Sequence, residues 1–352
     1  MAARRDVVKW LCSLPAPGLC GATFLGTSMI ANPAGAAGRK PTALLLDPLY
    51  KQHDPGRGHP EQPARYDAVM RAIEATQLLP QLYRVEIRVA NEDEIALVHG
   101  REYIAKVMRE IAAGAHELST GDTNVGPHSY DVAVRAVGGL LNAVDAVVAG
   151  HAANAFCAVR PPGHHARPNQ GMGFCIFNNI AIATRYAQHK HGISKVMIAD
   201  WDVHHGNGTQ DTFYNDGSVF FMSTHQSPWY PGTGSAAETG EGKGQGCTLN
   251  FPFPAGSGRT EIVGVFRETL RRAADEFKPE LVMISAGFDS RNGDPLGRFT
   301  LADADFAELT KIMLEIAGKH AGGRLLSVLE GGYSLSGLEA AAGAHVRALA
   351  AL

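Results

Sequence analysis

The chain has 352 residues, a length that suits two ordinary domains or one large α/β domain. Hydrophobic residues make up 45% and charged residues 19%, which is close to globular averages and argues against a disordered chain. The formal net charge is −3 and no long basic run occurs, so we expect no nucleic-acid partner.

The N-terminal segment differs in composition from the rest of the chain. A paired Arg4-Arg5 precedes a moderately apolar stretch over 10–30, and small residues follow around Ala36. This order predicts an export signal of the twin-arginine type over residues 1–36, and therefore an exported, periplasmic protein. A disordered N-terminal extension, which would leave the protein cytoplasmic, is the alternative. Prolines and glycines interrupt the apolar stretch, so we expect no stable membrane insertion.

Between residues 41 and 352, short apolar runs alternate with amphipathic stretches, which indicates one domain. The apolar runs predict strands at 42–47, 154–160, 195–202, 218–224, 280–289 and 324–332. The amphipathic stretches predict helices at 62–76, 131–149, 176–190, 260–277 and 301–320, with Thr260 and Thr300 as N-caps. Most of the runs are continuously apolar, as in parallel strands that are covered on both faces. The alternation predicts an α/β fold with a mostly parallel central sheet flanked by helices.

Polar residues follow four of these predicted strands. Ligand sites in open parallel sheets lie beyond the carboxyl ends of the strands. The residues found there are His164 and His165, then Asp200, Asp202 and His204, then Asp289, and finally Gly331, Gly332 and Tyr333. Because carboxyl ends of parallel strands share one edge, we expect these side chains to lie together.

The segment "ADWDVHHGNG" suggests a metal site. On a strand, Asp200, Asp202 and His204 would point to one side, because side chains alternate. Asp289, from another strand, is the best candidate for a further ligand. Two carboxylates and one imidazole leave an open position, as in catalytic zinc sites, and would also suit Fe(II). The alternative is an Asp–His hydrogen-bonded pair that caps a turn.

Cysteine does not explain a metal site in this chain. Beyond the N-terminal segment only Cys157, Cys175 and Cys247 remain, and they are widely spaced and odd in number. They form neither a disulfide framework nor a cysteine zinc site. We therefore expect any metal to be bound by histidine and carboxylate.

The neighbouring residues can support amide hydrolysis. A metal with an open position lowers the pKa of water towards neutrality, and the reaction then needs a proton acceptor and an oxyanion donor. His164 and His165 supply imidazoles, the side chain whose charge can switch near neutral pH. Asp200 and Asn207 can orient these rings, and the Tyr333 hydroxyl can donate to a developing oxyanion.

These segments resemble the histone deacetylase superfamily, in its class II-like bacterial branch, over roughly residues 42–350. The motifs that carry the resemblance are "HDPGRGHPEQPAR", "RPPGHHA", "GFCIFNNIAIA", "DWDVHHGNGTQ", "YPGTG", "SAGFDSRNGDPLG" and "LEGGYSL". The resemblance implies the arginase–deacetylase type of α/β fold. It also implies zinc-dependent removal of acyl groups from amines.

The resemblance also implies a role for each site residue. The implied zinc ligands are Asp202, His204 and Asp289. The implied acid–base groups are His165 as general base, His164 as its electrostatic and proton-donating neighbour, and Tyr333 as the group that polarises the substrate carbonyl. The implied partners of the histidines are Asp200 for His164 and Asn207 for His165. The family also binds structural potassium, and the compatible positions are Asp200, Asp202, His204, Ser223 and Thr224.

For the substrate, the resemblance implies a narrow channel with Phe174 and Tyr230 as walls. Polyamine deacetylases of the superfamily carry a glutamate where this chain has Leu296. Leucine suits an acetyl-lysine peptide or a small neutral acylamide. A peptide-gripping residue would lie in the segment "TGDTNVGPHSY", at Asp122, Thr123 or Asn124.

The leading prediction is therefore a zinc-dependent deacetylase that hydrolyses the amide of N-acetylated amines. One alternative is a non-catalytic acyl-amine-binding protein of the same fold. Another is an amidohydrolase or esterase with a different acyl preference. The presence of all predicted metal ligands, both histidines and the tyrosine favours an enzyme over a binding protein.

Overall fold

The computed structural model describes residues 40–351, so the export signal predicted for residues 1–36 lies outside the described residues. The strands are β1 (Thr42–Leu45), β2 (Tyr83–Arg84), β3 (Asn154–Cys157), β4 (Val196–Asp200), β5 (Val219–Gln226), β6 (Thr248–Phe253), β7 (Leu281–Ala286) and β8 (Leu325–Leu329). The helices are α1 (Ala64–Thr76), α2 (Glu92–Ile95), α3 (Arg101–Ala112), α4 (Ser129–Val148), α5 (Asn179–His191), α6 (Asn207–Phe213), α7 (Arg259–Val265), α8 (Arg271–Phe277), α9 (Asp303–His320) and α10 (Leu335–Ala350). A π-helical turn, Phe266–Leu270, joins α7 to α8.

The eight strands form one sheet in the order β2-β1-β3-β8-β7-β4-β5-β6, and every pair of neighbours is parallel. The predicted α/β sheet is therefore present, with helices on both faces. None of the helices within residues 40–351 combines the length and apolarity needed to cross a membrane.

Alternating residues of each central strand contribute to two separate apolar cores. In β4, Val196 and Ile198 pack on the face covered by α3, α4 and α5. Met197 and Ala199 pack on the other face, under α1 and α7–α10. Both faces are buried, which explains why the strands read as continuous apolar runs.

The central strands end earlier than the sequence predicts. The β4 ladder stops at Asp200, β7 stops at Ala286 and β8 stops at Leu329. The apolar run does continue after β4, because Trp201 and Val203 are fully buried in the second core. The prediction that Asp202 and His204 lie on a strand is therefore wrong, although the alternation of sides persists into the loop.

Other differences concern caps and elements that lack a strong pattern. Gly258 and Ala302, rather than Thr260 and Thr300, precede α7 and α9, and the Thr300 hydroxyl instead donates to the Gly256 and Ser257 carbonyls. The elements that the sequence did not predict are β2, β6, α2, α3, α6 and α10. β2 has two residues, and β6 is an edge strand that tolerates Pro252.

Candidate active site

Most of the predicted site residues lie in the loops that follow four adjacent strands of the sheet. In the order β3-β8-β7-β4, each strand is hydrogen-bonded to the next and all point the same way. The loops that follow them therefore begin side by side at one edge. This topology explains how residues up to 169 positions apart in sequence, from His164 to Tyr333, meet in one site.

Asp202, His204 and Asp289 form a compact cluster. Each offers one potential metal-binding atom, and these atoms all lie within 4.8 Å of one another. His204 Nδ1 lies 2.9 Å from Asp202 Oδ1 and 3.2 Å from Asp289 Oδ2. Asp289 Oδ2 is fully buried and, although His204 is near, makes no hydrogen bond of good geometry among residues 40–351. The cluster thus presents an unsatisfied carboxylate oxygen toward the other two groups.

Side chains, rather than a β-ladder, shape the loop after β4. The Asp202 N–H donates to Asp200 Oδ1 at 3.0 Å, and the His204 N–H donates to Asp202 Oδ1 at 2.9 Å. The Val203 N–H donates to Asp289 Oδ1 at 2.9 Å. Short polar side chains of this kind replace ladder bonds with local turns. They explain why the strand ends at Asp200 while the cluster stays ordered.

Glycine is required where the loop after β8 passes over the carboxylates. The Gly331 N–H donates to Asp202 Oδ2 at 2.8 Å. A Cβ on Gly331 would lie 2.1 Å from Asp289 Oδ2 and 2.6 Å from Asp202 Oδ2. Real Cβ atoms do not approach other atoms that closely, so the first glycine of the Gly-Gly-Tyr motif permits contact between backbone and carboxylates.

The electrostatics of the cluster favour a positive charge at its centre. Burial alone would lower the pKa of His204, but Asp202 and Asp289 outweigh it and raise the pKa to about 10. Burial and the Asp202 charge raise the pKa of Asp289 to about 7. Two carboxylates this close cannot both remain charged without a cation between them, whether a proton or a metal ion.

The tandem histidines lie beside the cluster and have different partners. His164 Nδ1 donates to Asp200 Oδ2 at 2.9 Å, whereas His165 Nδ1 donates to Asn207 Oδ1 at 2.8 Å. Their ring centroids are 4.0 Å apart. The carboxylate and amide partners predicted from the sequence are therefore in hydrogen-bonding contact with the two rings.

The two imidazoles have opposite pKa shifts. Burial lowers the pKa of His164, but the carboxylates of Asp200, Asp202 and Glu330 outweigh it and raise the pKa to about 10. Burial also lowers the pKa of His165, and the positive charges of its histidine neighbours lower it further, to well below the ordinary value. At neutral pH, one ring of the pair is a cation and the other is a neutral base.

Glu330 is a site residue that the sequence analysis missed. Its Oε2 accepts the N–H groups of Gly163 at 2.7 Å and His164 at 3.1 Å, and its Oε1 accepts the Ser285 hydroxyl at 3.2 Å. Burial raises the pKa of Glu330 to about 7. The sequence does contain a sign of this role, because Glu330 is an acidic residue at the end of the apolar run "RLLSVLE". A carboxylate buried there needs hydrogen-bond donors from the surrounding protein.

Arg65 was also missed, and its side chain contacts the Gly-Gly-Tyr turn. Its guanidinium donates to the carbonyls of Gly332 at 2.7 Å and Glu330 at 2.5 Å. It also lies 5.0 Å from the centroid of the Tyr333 ring. Burial raises the pKa of the Tyr333 phenol well above its usual value although Arg65 opposes the shift, so the phenol keeps its proton at neutral pH.

A cavity of about 260 Å³ leads to the cluster. The residues that line it are Asp122, His165, Gly173, Phe174, His204, Trp229, Tyr230, Leu296 and Tyr333. The predicted wall residues Phe174, Tyr230 and Leu296 all line it. Trp229 was missed, and its indole N–H donates to the Leu296 carbonyl at 2.8 Å. A largely apolar passage that also presents His165, His204 and Tyr333 suits an extended aliphatic substrate.

The backbone at Phe174 is strained. Its φ of 68° lies in the left-handed region, which bulky residues rarely adopt. The preceding residue, Gly173, lies directly against the His165 ring. A Cβ on Gly173 would be 2.3 Å from His165 Cδ2. Such strain persists where surrounding contacts impose it, and it places the Phe174 ring in the cavity wall.

Of the three residues considered at the entrance, only Asp122 lines the cavity. Its Oδ1 accepts the Gly173 N–H at 2.8 Å and lies 3.2 Å from the Tyr230 hydroxyl. Thr123 is buried and donates to the Cys175 carbonyl, and Asn124 is half-buried and donates to the His116 carbonyl. A larger open groove of about 710 Å³ lies beside α6 and is lined by other residues, including Arg167 and Asp211.

Comparison with known proteins places this site in a family. The family model described as "Histone deacetylase domain" matches residues 59–349. The chain is 40% identical over 306 residues to "Histone deacetylase 10, chloroplastic" of Oryza sativa subsp. japonica, which covers 82% of this chain and 69% of that protein. It is 39% identical over 289 residues to "Polyamine deacetylase HDAC10" of Homo sapiens, which covers 79% of this chain and 43% of that protein. The crystal structure of the HDA15 HD domain superposes with a TM-score of 0.83 at 34% identity and covers 89% of each chain.

These comparisons confirm the predicted fold, which is of the arginase–deacetylase α/β type. They also agree with the motifs, since the matched range contains every residue of the cavity and the carboxylate–histidine cluster. The chain belongs to the histone deacetylase family.

Proposed function

We propose that this protein is a zinc-dependent deacetylase that hydrolyses the amide of N-acetylated amines. Family membership supports hydrolysis of an acyl–amine bond. The observation that carries the proposal is that His204 of the Asp202–His204–Asp289 cluster, a neutral His165 and a protonated Tyr333 line a single cavity. Each step of amide hydrolysis then has a residue of suitable chemistry.

Asp202, His204 and Asp289 fit a divalent metal. Their ligand atoms converge within 4.8 Å, and Asp289 Oδ2 is a buried oxygen without a good donor among residues 40–351. Two carboxylates and one imidazole carry two negative charges, which a divalent cation neutralises. Such a donor set suits zinc and also Fe(II). When bound there, the metal supplies Lewis-acid activation of water and of the substrate carbonyl.

The two histidines divide the proton transfers between them. His165 donates its Nδ1 proton to Asn207, so Nε2 retains a lone pair that can accept a proton from the attacking water. His164 is a cation held by Asp200, and it stabilises negative charge as the tetrahedral intermediate forms. In the second half of the reaction, a histidine proton passes to the leaving amine.

Tyr333 provides the oxyanion donor in this proposal. Its phenol keeps its proton because burial raises its pKa, and the residue lines the cavity. The turn before it is fixed by Arg65 and by the Gly331 N–H bond to Asp202. A pre-oriented donor stabilises the developing charge without reorganisation during the reaction.

For the substrate, we propose an acetyl-lysine peptide or a related small acylamide. The passage is bounded by Phe174, Tyr230 and Leu296, which are themselves uncharged and suit an aliphatic chain. Relatives of nearly equal identity carry different substrate names, histone in one and polyamine in the other, so overall similarity does not select between these classes. Asp122 at the entrance can accept an N–H donor of either class.

We also propose that structural potassium binds between β4 and β5. Asp200 lies beside Ser223 in the register of these strands. Thr224 Oγ1 is buried and has no hydrogen-bond partner among residues 40–351. The remaining oxygens of this proposed site belong to Asp202 and His204. Turnover measured with potassium or with a large organic cation in the buffer would test it.

The test of the proposed function is acetate release from a substrate panel. We expect hydrolysis of at least one member among acetyl-lysine peptides, acetylated polyamines and small acylamides, loss of hydrolysis with a chelator, and recovery with zinc. Tyr333→Phe should lower kcat by about 100- to 1000-fold, the scale of one oxyanion donor. Tight binding without product across the panel would instead support an acyl-amine-binding protein, and selective turnover of esters or long acyl chains would support a different acyl preference.

The N-terminal segment supports a second, separate proposal. Arg4-Arg5, the apolar stretch after them and the small residues near Ala36 fit a twin-arginine export signal. We propose that the mature protein begins near residue 37 and is periplasmic. Mass spectrometry of the protein from its host tests this, and an intact N-terminus in a cytoplasmic fraction would contradict it.

A further inference from the structure

A buried carboxylate that has no role in the proposed chemistry lies behind the Gly-Gly-Tyr turn. Asp294 belongs to the loop that follows β7, in the segment "NGDPLG", and it is 7% exposed. It is five residues beyond Asp289, so it is neither part of the carboxylate–histidine cluster nor adjacent to it in sequence. Its three side-chain hydrogen bonds all come from backbone N–H groups.

These bonds connect two parts of the cavity. Asp294 Oδ2 accepts the N–H of Tyr333 at 2.7 Å and the N–H of Ser334 at 2.9 Å. Asp294 Oδ1 accepts the N–H of Leu296 at 3.0 Å. One side chain thus fixes the backbone of the phenol-bearing residue and the backbone of a wall residue.

The turn needs such an anchor at this point. Gly331 and Gly332 precede Tyr333, and Gly332 has a φ of 124°, so this backbone has unusual conformational freedom. The bonds from Gly331 to Asp202 and from Arg65 to Gly332 fix the chain only before Tyr333. Asp294 binds the Tyr333 N–H itself and the residue that follows, where α10 begins.

Burial disfavours a charged carboxylate at position 294. Burial raises the pKa of Asp294 even though three N–H groups donate to it. Charge-assisted hydrogen bonds are roughly twice as strong as neutral ones, which suits a site where position must be fixed closely. Catalysis is sensitive to such positioning, since a shift of about 1 Å can cost about 100-fold in rate.

We propose that Asp294 is a positioning residue that holds the Tyr333 phenol at the substrate carbonyl by fixing the backbone at Tyr333 and Ser334. This inference rests on the proposed role of Tyr333 in deacetylation. It assigns Asp294 no contact with the substrate or the metal.

A double-mutant cycle on the full chain tests the inference. We expect Asp294→Ala to lower kcat by about 10- to 100-fold in the otherwise unchanged protein, the usual range for a group that orients a catalytic residue. In a Tyr333→Phe background the same change should lower kcat by less than about threefold, because no phenolic hydroxyl remains to be positioned. Zinc content and thermal midpoint are measured for each variant, and kcat is expressed per bound zinc.

Asp305→Ala is the matched control. Asp305 is also a buried carboxylate, 5% exposed, and it accepts the Ala302 N–H at 2.8 Å at the start of α9. This variant should lower the thermal midpoint and leave kcat per bound zinc unchanged in both backgrounds. A loss that comes only from structural weakening would make the two aspartate variants behave alike.

An equal loss of kcat for Asp294→Ala in both backgrounds would overturn the inference, as would an unchanged kcat in the single variant. If Asp294→Ala does not fold, Asp294→Asn replaces it, because the amide keeps one acceptor oxygen and should give a smaller loss with the same dependence on Tyr333. If Tyr333→Phe alone retains the original kcat, the proposed role of Tyr333 fails and this inference fails with it. A loss for Tyr333→Phe combined with an additive Asp294 effect would reject the positioning role alone.

Discussion

Replacing Gly331 by alanine should weaken binding of the proposed metal at the carboxylate cluster without changing any charged group. The new Cβ would lie 2.1 Å from Asp289 Oδ2 and 2.6 Å from Asp202 Oδ2, whereas real Cβ atoms stay beyond 3.0 Å. At least one proposed metal ligand must therefore move by about 0.9 Å, far more than the roughly 0.2 Å over which metal–ligand distances vary. Neither carboxylate can retreat easily, because both are fully buried and hydrogen-bonded to the surrounding backbone.

We expect Gly331→Ala to lose bound zinc and to lower turnover by at least about 100-fold, the cost of a shift of about 1 Å in a reacting group. Zinc content after dialysis and acetate release from an acetyl-lysine reporter are the assays. Gly318→Ala is the matched control, because Gly318 is an exposed residue of α9 whose added Cβ would meet nothing within 4 Å. It should keep full activity and gain roughly 0.5–1 kcal/mol in unfolding free energy. A Gly331→Ala protein with one zinc per chain and turnover within threefold of the original would refute the reasoning.

Three further predictions concern other parts of the site and the core. Burial lowers the pKa of His345 to about 3, so as the pH falls below about 6.5 the unfolded chain binds a proton at this residue while the folded chain stays neutral. The free energy of unfolding should therefore decrease by at most about 1.4 kcal/mol for each pH unit from about pH 6.5 down to about 3. Urea titrations of His345→Gln should show a weaker dependence of this free energy on pH, and an unchanged dependence would contradict the prediction. Glu61 is buried and forms ion pairs with Arg65 and Arg160, so Glu61→Gln should lower the free energy of unfolding in urea by about 3–5 kcal/mol. A decrease below about 1 kcal/mol would show that the arginines are solvated. Asn207→Ala removes the partner of the His165 ring and should lower kcat by about 10- to 100-fold in the acetate assay, whereas an unchanged kcat would mean that the ring is oriented by other contacts.

The sequence predicted the sheet and the main site residues because both depend on local patterns. Continuous apolar runs identify strands covered on both faces, and the polar residues at their ends must meet when the strands are parallel. Asp200 and Asn207 stand out in the sequence only as nearby polar groups, and their assignment to His164 and His165 follows from the resemblance to the family. These features require only that the strands be neighbours, which the order β3-β8-β7-β4 provides.

The residues that the sequence did not predict act through partners distant in the chain. Glu330 binds backbone N–H groups 166 and 167 residues away, and Arg65 binds a carbonyl 267 residues away. Asp294 contacts a turn 39 residues away. No periodic pattern reports such contacts, because the partner in each case is a backbone group, an N–H for Glu330 and Asp294 and a carbonyl for Arg65. The strand ends were misplaced for a related reason, since buried Trp201 and Val203 extend the apolar run beyond the ladder.

We propose that Asp202, His204 and Asp289 together bind one divalent metal on which amide hydrolysis depends. Calorimetric titration of zinc into metal-free protein, with acetate release followed at each addition, tests this most directly. We expect one zinc per chain, activity that rises in proportion to the zinc bound, and loss of both in Asp289→Ala. Full activity in the metal-free protein, or zinc binding by Asp289→Ala equal to that of the original chain, would contradict it.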